Sequence, residues 1–521
     1  MEAMPVPTDR IDDLFAAVDP LMTHLDRVVE DTRDIWHQQQ ADWIWFKLGT
    51  VLNVLRGRQA GSLAAALARG LLEQAAYWDW AIGAGVTGDL TALQCVDERR
   101  RMEREADPED TTWIGWIVPP GTVLSVGDGP GLPRSAADAI ARLGQGLQPS
   151  ALAPLRFKGL VSAYRLIEVL THGSIAAAAI LEPGGGDAAT DELAAAIIHV
   201  AAAGAGATVV SLLELTGPDA EEIHRMADVI AHKASAIHGL PLGAPATKRS
   251  PAKPKAMAAA TLESTISRLP PAQPTTTAAA AQFLAAADRF TAAIAAHART
   301  DDDATASAWL TFQLARSHLN TLRGVVDGTI GAAILPFSAR PLLEEGTRWG
   351  WLRERTTAAT ADGSTLHSMV SDSRARIVHI RHALASDGMP PSAVDHLLGA
   401  GLDLLAIEPT APLPPEREMF ATANWAIGDT DACGPMYSVL SQFIHATPIA
   451  TLHLQRDTFT SISAPVYAVA IESACRGFWN IARTLAPILC APAAELETAD
   501  EELTLALRYV VRNAATYHCM G

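Results

Sequence analysis

The chain is poor in cysteine, in positive charge and in aromatic residues, which make up 6% of it. The shortage of aromatic residues disfavours a strand-rich fold. It has 5 cysteines in 521 residues, an odd number without the spacing of a zinc site. A disulfide framework needs paired cysteines in a small secreted chain, so we expect reduced thiols. The formal net charge is −18, which disfavours nucleic acid as a partner because phosphates are neutralised by Lys and Arg.

Signals for membrane insertion are also weak. The N-terminal residues 1–5 show neither a basic nor an apolar leader region. Residues 193–213 are apolar and long enough to span a bilayer. Alanine and glycine supply much of that stretch, however, and neither drives insertion as leucine does. We therefore expect a buried core helix there and a cytoplasmic protein without a membrane partner.

Short motifs that would reveal a cofactor are missing. The chain has no dinucleotide fingerprint and no nucleophile elbow. Residues 127–131 are rich in glycine, but Pro130 has no N–H to offer a phosphate and no strand precedes the segment. The cofactor is therefore unknown from the sequence, as is the oligomeric state.

What the chain does contain is a repeat. Residues 68–80 share the pattern Ala-Arg-x-Leu-Leu-Glu and two tryptophans with residues 339–351, at a separation of 271. Upstream, residues 52–57 return as 319–324, at a separation of 267. Downstream, Tyr164 and His172 return as Tyr437 and His445, at a separation of 273. Three blocks in the same order indicate an internal duplication.

The repeat and the composition together predict the architecture. A chain of 521 residues is too long for one core, and its long segments show helical periodicity with almost no strand alternation. We expect an all-α protein of two homologous helical-bundle domains related by a pseudo-twofold axis. The first domain spans 8–240, a Pro/Ala/Lys-rich flexible linker spans 241–276, and the second domain spans 277–521.

Polar residues that recur in both copies are the candidate site. Arg69, Glu73 and Trp80 lie four and seven residues apart and so share one helix face, as do their counterparts Arg340, Glu344 and Trp351. A second helix carries a Tyr and a His eight residues apart, with Glu168 between them in the first copy and Ser441 in the second.

Charged groups on apolar helices need partners, because an unpaired buried charge is far costlier than a paired one. We therefore expect each copy to gather its own four residues in one pocket. The two predicted sets are Arg69, Glu73, Tyr164 and His172, and Arg340, Glu344, Tyr437 and His445.

The residue types suggest acid–base chemistry. A carboxylate can orient or deprotonate an imidazole, whose ordinary pKa near 6.5 suits proton transfer at neutral pH. The predicted catalytic residues are Glu73, His172, Glu344 and His445. The predicted substrate-binding residues are Arg69, Trp80, Tyr164, Arg340, Trp351 and Tyr437. The function expected is small-molecule binding or acid–base catalysis, with structural pinning of helices as the open alternative.

A metal site is not predicted. Glu73, His172 and His199 would make a set of two histidines and one carboxylate. Carboxylate-bridged helical bundles usually show a paired Glu-x-x-His motif, which the repeated helices lack. The difference between Glu168 and Ser441 further suggests that one copy is active and the other serves as scaffold.

Two resemblances extend these hypotheses. The pattern Arg-x3-Glu followed by Tyr-x3-Ser-x3-His, matched best by Tyr437, Ser441 and His445, resembles an uncharacterised bacterial all-helical family of unknown function. Arg165 with His172, and Arg512 with His518, are similar to the signature of HEPN-type ribonuclease domains. That resemblance implies an all-α ribonuclease or defence-type protein with a composite site. A structural interaction module is the third alternative.

Overall fold

The structure is a computed structural model, and its description covers part of the chain. The described residues are 9–32, 35–84, 94, 139–140, 160–181, 187–213, 215, 217–240, 242, 274–298, 303–355, 364–386, 388–406, 408, 413–414, 418–420, 433–445, 450–451, 453–454, 461–490 and 494–518.

The described part of the chain is built from helices. Those of the first half are α1 (Asp9–Glu30), α2 (Ile35–Arg56), α3 (Gly61–Ala84), α4 (Leu160–Leu170), α5 (Ile175–Leu181), α6 (Asp191–Leu212) and α7 (Pro218–His238). Those of the second half are α8 (Pro274–His297), α9 (Asp303–Val326), α10 (Leu335–Arg355), α11 (Ser364–Ser386), α12 (Pro391–Leu398), α13 (Cys433–Ile444), α14 (Ala464–Leu489) and α15 (Ala494–His518). Short 3₁₀ segments occur at Ala332–Ile334 and Gly399–Ala406. Within these ranges β-structure is limited to one isolated bridge between Leu454 and Ile462, so the all-α prediction is confirmed.

Local sequence signals set the ends of helices in the first half. The side chain of Thr190 caps α6 by accepting a hydrogen bond from the backbone N–H of Leu193. Pro218 occupies the first turn of α7, where its missing N–H costs nothing. The same helix ends at Gly239, whose φ of 72° is the left-handed conformation that favours glycine.

Helix α6 lies inside the core. From Leu193 to Leu212 every residue of the helix is buried, which confirms the prediction of a core helix for this apolar stretch. Among the described residues, no other unbroken helix is long and apolar enough to cross a membrane. The apolar stretch of α6 is fully buried within the protein. Most of the buried apolar side chains of both halves belong to one continuous cluster, which includes those of α6.

Two helix crossings are so close that they require glycine. A Cβ atom on Gly204 of α6 would lie 2.9 Å from the carbonyl carbon of Leu71 on α3. A Cβ atom on Gly477 of α14 would overlap the backbone carbonyl of Leu342 on α10. The two glycines are separated by 273 residues, the same separation as the repeated Tyr/His pairs. Equivalent crossings support the internal duplication, which stays a prediction.

The two halves pack against each other through the helices that carry the repeated residues. Helix α3 contacts α10 and α13, while α4 contacts α11 and α5 contacts both α9 and α11. The predicted domain boundaries stay predictions, since most of the predicted linker lies outside the described residues. Helix α8 begins at Pro274, three residues before the predicted start of the second domain.

Two of the cysteines lie in described side-chain positions. Cys475 and Cys490 are both buried, and neither forms a disulfide with a described residue; the expected reduced thiols stay a prediction. Burial raises the pKa of the Cys475 thiol well above its ordinary value, so it stays protonated. The side chains of Cys95, Cys433 and Cys519 lie outside the described part of the chain.

Candidate functional site

The first centre is built around Glu73, a carboxylate without exposed surface. Arg69 lies one turn earlier on α3, and its Nε donates to Glu73 Oε1 at 2.8 Å. The Tyr164 hydroxyl, from α4, donates to the same oxygen at 2.6 Å. Arg69 Nη2 in turn donates to the Tyr164 hydroxyl oxygen at 3.1 Å. The structure thus brings together three of the four residues that the repeat predicts for this centre.

Arg69 makes further bonds to the end of α4. Its Nη1 donates to Thr171 Oγ1 at 3.0 Å, and its Nη2 lies 3.5 Å from Glu168 Oε1. Thr171 is a partner that the sequence did not indicate, because the second copy has Ile444 at the corresponding position. The donors of Arg69 are therefore engaged within the protein.

The histidines are exchanged between the halves. His445 Nδ1 lies 2.8 Å from Glu73 Oε2, and His172 Nδ1 lies 2.6 Å from Glu344 Oε1. The sequence predicts that each copy gathers its own histidine, whereas in the structure each glutamate contacts the histidine of the other half. Each centre instead contains residues from both halves of the chain.

The position of the histidines relative to their helices explains this exchange. Helix α4 ends at Leu170, so His172 lies in the turn that follows rather than on the helix face. The turn continues through Gly173, which has a φ of 63° and lies so near α10 that an added Cβ atom would be 3.3 Å from Cβ of Pro341. That packing places His172 beside α10 and its glutamate. His445 likewise follows the end of α13, which contacts α3.

The second centre is not a copy of the first. Arg348 Nη2 donates to Glu344 Oε1 at 3.2 Å, a partner that the repeat did not reveal because Tyr77 occupies the corresponding position. The predicted Arg340–Glu344 pair is looser, with 3.8 Å between Nη2 and Oε2. Arg340 Nη2 donates instead to the Tyr437 hydroxyl at 2.6 Å.

The first centre holds an ionised carboxylate. Burial by itself would raise the pKa of Glu73, but the electrostatic interactions with His445 and Arg69 and the hydrogen bonds to the carboxylate outweigh it, so this pKa falls well below its ordinary value. Burial and the negative charge of Glu73 raise the pKa of Tyr164. Tyr164 therefore stays a neutral hydrogen-bond donor.

His445 is the part of this centre that reaches the surface. Its side chain is 29 % exposed, whereas Glu73 is fully enclosed. Among the described residues Nδ1 has Glu73 as its partner and Nε2 has none. An imidazole that donates through Nδ1 to a carboxylate presents the lone pair of Nε2 to its surroundings.

Lys47 is a fully buried charge near the first centre that the sequence did not indicate. Its Nζ lies 4.9 Å from the centre of the Trp43 ring and has no hydrogen-bond partner within the described part of the chain. Burial lowers the pKa of Lys47 to about 7, although the charge of Glu73 acts in the opposite direction. The second copy has Leu314 at this position, which is why a search for repeated polar residues passes over it.

The predicted tryptophans lie in apolar surroundings. Trp80 belongs to the hydrophobic core and Trp351 packs against its edge. Their predicted role in substrate binding stays a prediction.

The metal-site and HEPN-type hypotheses were checked against the contacts of the described residues. No group of three His, Cys, Asp or Glu side chains is placed there to hold a metal. Two members of the possible metal set have other partners. His199 stacks on His238, with ring centres 5.8 Å apart, and Nδ1 of His172 contacts Glu344. Arg165, the arginine of the spacing that resembles a HEPN-type signature, hydrogen-bonds to His379. The side chain of His518 lies outside the described residues.

No protein-family model, no curated protein and no solved structure matches this chain. Neither resemblance stated from the sequence gains support from these comparisons, so the function has to be inferred from the site itself.

Proposed function

We propose that the protein is a cytoplasmic acid–base enzyme acting on a small molecule, with His445 as the residue that exchanges the proton. The observation that carries this proposal is the contrast between the two nitrogens of one ring. Nδ1 is bound to the buried carboxylate of Glu73, while Nε2 is free of described partners on a partly exposed side chain.

The geometry assigns a role to each group. Glu73 holds the tautomer with hydrogen on Nδ1, so that Nε2 accepts a proton from the substrate. As the ring becomes an imidazolium, the same carboxylate stabilises the new charge without taking the proton itself. The proton then returns from Nε2 to the product or to water. General acid–base catalysis of this kind contributes about 10²- to 10⁴-fold in rate.

Arg69 and Tyr164 act as positioning residues in this proposal. Both donate to Oε1 of Glu73, which leaves Oε2 directed at His445. This replaces the direct substrate contact that the sequence predicts for the two residues.

The second centre serves as the scaffold of the pair. The His172 side chain is 11 % exposed, less than half the exposure of its counterpart. Glu344 receives a hydrogen bond from Arg348 as well as the His172 contact. The difference between Glu168 and Ser441 predicts the same arrangement, in which one centre is active and the other is structural.

Proton exchange in heavy water tests the proposal without knowledge of the net reaction. The protein is incubated with a panel of small 2-oxo and 3-oxo acids, and loss of the proton signal next to the carbonyl is followed by NMR. His445→Asn keeps a donor toward Glu73 but removes the base, and we expect it to lower the exchange rate about 10²- to 10⁴-fold. His172→Asn is the matched control and should retain exchange if the protein is folded by circular dichroism. An H445N protein that exchanges at the wild-type rate would contradict the assignment.

A structural role is the second candidate, because both His–Glu pairs join the two halves of the chain. In that case His445→Asn lowers the unfolding temperature and changes no reaction rate. Measuring unfolding and exchange on the same sample separates the two candidates.

A further inference from the structure

We propose that Arg340 and Ser441 form a binding site for the carboxylate group of a small organic acid. The inference names the substrate class of the proposed enzyme and in that sense rests on the proposed function. It is carried by a buried cation without a full set of partners and by a difference between the two halves of the chain.

Arg340 is a buried arginine that is incompletely paired. Only 2 % of its surface is exposed, and among the described residues neither Nε nor Nη1 has a hydrogen-bond partner. In its ion pair with Glu344, Nη2 lies 3.8 Å from Oε2, beyond hydrogen-bond distance. Burial and the like charge of neighbouring Arg69 work against its charged form, but Tyr437 and Glu344 outweigh them, so the pKa of Arg340 is raised and the guanidinium stays charged. A buried guanidinium with free donors calls for an anion.

The first half shows what occupies the corresponding place. There Glu168 Oε1 lies 3.5 Å from Arg69 Nη2, which adds a second carboxylate beside that arginine. The equivalent residue on α13 is Ser441, four residues after Tyr437 just as Glu168 follows Tyr164. The second half therefore lacks the carboxylate that the first half supplies from its own chain.

Ser441 is itself a polar group without a described partner. It is 1 % exposed, and its Oγ has no hydrogen-bond partner in the part of the chain that the structure describes. A serine is shorter than a glutamate by a methylene and a carboxylate. A ligand carboxylate can therefore take the place of the missing glutamate side chain, accepting hydrogen bonds from the guanidinium and from the hydroxyl.

The location suits the proposed chemistry. The backbone N–H of His445 bonds to the carbonyl of Ser441 at 2.9 Å, so the two residues are one helical turn apart at the end of α13. A small acid held at Arg340 and Ser441 would extend toward the imidazole of His445. The substrate expected is an organic acid whose reacting proton lies a few atoms from its carboxylate.

Acetate is the probe, because it has the headgroup of the missing glutamate. Binding to the full chain is measured by calorimetry, with sodium chloride keeping the ionic strength constant. We expect saturable binding of one acetate, weakened at least tenfold in Ser441→Glu, which supplies the carboxylate internally. Arg340→Lys keeps the charge but loses donors and should weaken binding by a similar factor. Glu168→Ser is the matched control on the other half and should leave acetate affinity within about twofold.

Several outcomes would overturn the proposal. They are the absence of saturable acetate binding to the wild-type protein, unchanged affinity in S441E, and binding of inorganic phosphate in place of acetate. Acetate binding to the wild-type protein tests the proposal even if a variant does not fold. His445→Asn separates this inference from the proposed function, since it should lose proton exchange and keep acetate binding.

Discussion

Glu73 accepts hydrogen bonds from three side chains although it has no exposed surface. Two donors, Arg69 and Tyr164, belong to its own half of the chain, and the third, His445, comes from the other. Hydrogen bonds to a charged group contribute about 1.5–3 kcal/mol each, and together they offset the cost of burying the carboxylate. At this scale the site is a balance between desolvation and directed hydrogen bonds.

Lys47 is the residue for which that balance is least favourable. Its folded-state pKa of about 7 is lower than its ordinary value of 10.5, so the folded state disfavours the protonated form. The cost is complete below pH 7 and disappears as the pH rises toward 10.5. Lys47→Leu, which installs the residue found at the equivalent Leu314, should therefore raise the free energy of unfolding on the order of 3 kcal/mol near pH 6.

Denaturant unfolding of both proteins at pH 6, 8 and 10 measures this effect. The difference between variant and wild type should shrink as the pH rises. A difference that stays constant over this range would show that the ammonium carries no burial penalty.

At the scale of elements, close helix crossings place the charged residues. Helix α10 carries Arg340, Glu344 and Arg348 and crosses α14 at Gly477. Helix α3 carries Arg69 and Glu73 and crosses α6 at Gly204. Because backbones meet directly at both points, neither pair of helices has room to move apart or slide without losing its packing.

Gly477→Ala tests the tighter of the two crossings. The added Cβ would overlap the backbone carbonyl of Leu342, so α10 and α14 must separate. We expect a loss of roughly 3 kcal/mol or more in unfolding free energy, measured by urea denaturation. Gly434→Ala is the matched control, because a Cβ on that helical glycine meets nothing within 4 Å. It should be neutral or stabilising by up to about 1 kcal/mol, and equal stability of the two variants would refute the crossing.

At the scale of the whole molecule, each centre depends on both halves. Glu73 receives its histidine from the second half, and Glu344 receives its histidine from the first. The apolar core is likewise continuous across the halves. The two centres therefore depend on each other, because each one needs a histidine from the opposite half of the chain.

A double-mutant cycle measures this interlocking. Unfolding free energies are determined for Glu73→Gln, His445→Asn and the double variant, and we expect a coupling energy of about 1–3 kcal/mol. The control cycle joins Glu73→Gln with His172→Asn, the pair that would interact if each copy were self-contained, and should show clearly weaker coupling. Stronger coupling in the control cycle would contradict the exchange of histidines.

Much of the candidate site could be predicted because the repeat marks it. The Arg69–Glu73 ion pair follows from four-residue spacing on a helix, and Tyr164 follows from the need of buried charges for partners. Lys47 and Arg348 were missed because their counterparts, Leu314 and Tyr77, are not charged. A search for polar residues that recur in both copies cannot find a charged residue that is present in one copy only.

The sequence by itself determined the helical class, the buried nature of α6 and the identity of the repeated polar residues, since periodicity and spacing are local properties of a chain. Only the tertiary structure decided which histidine meets which glutamate. That choice depends on the turns after α4 and α13, which place His172 beside α10 and His445 beside α3. Contacts between residues 172 and 372 positions apart are set by how whole helices pack, and helical spacing carries no information about that packing.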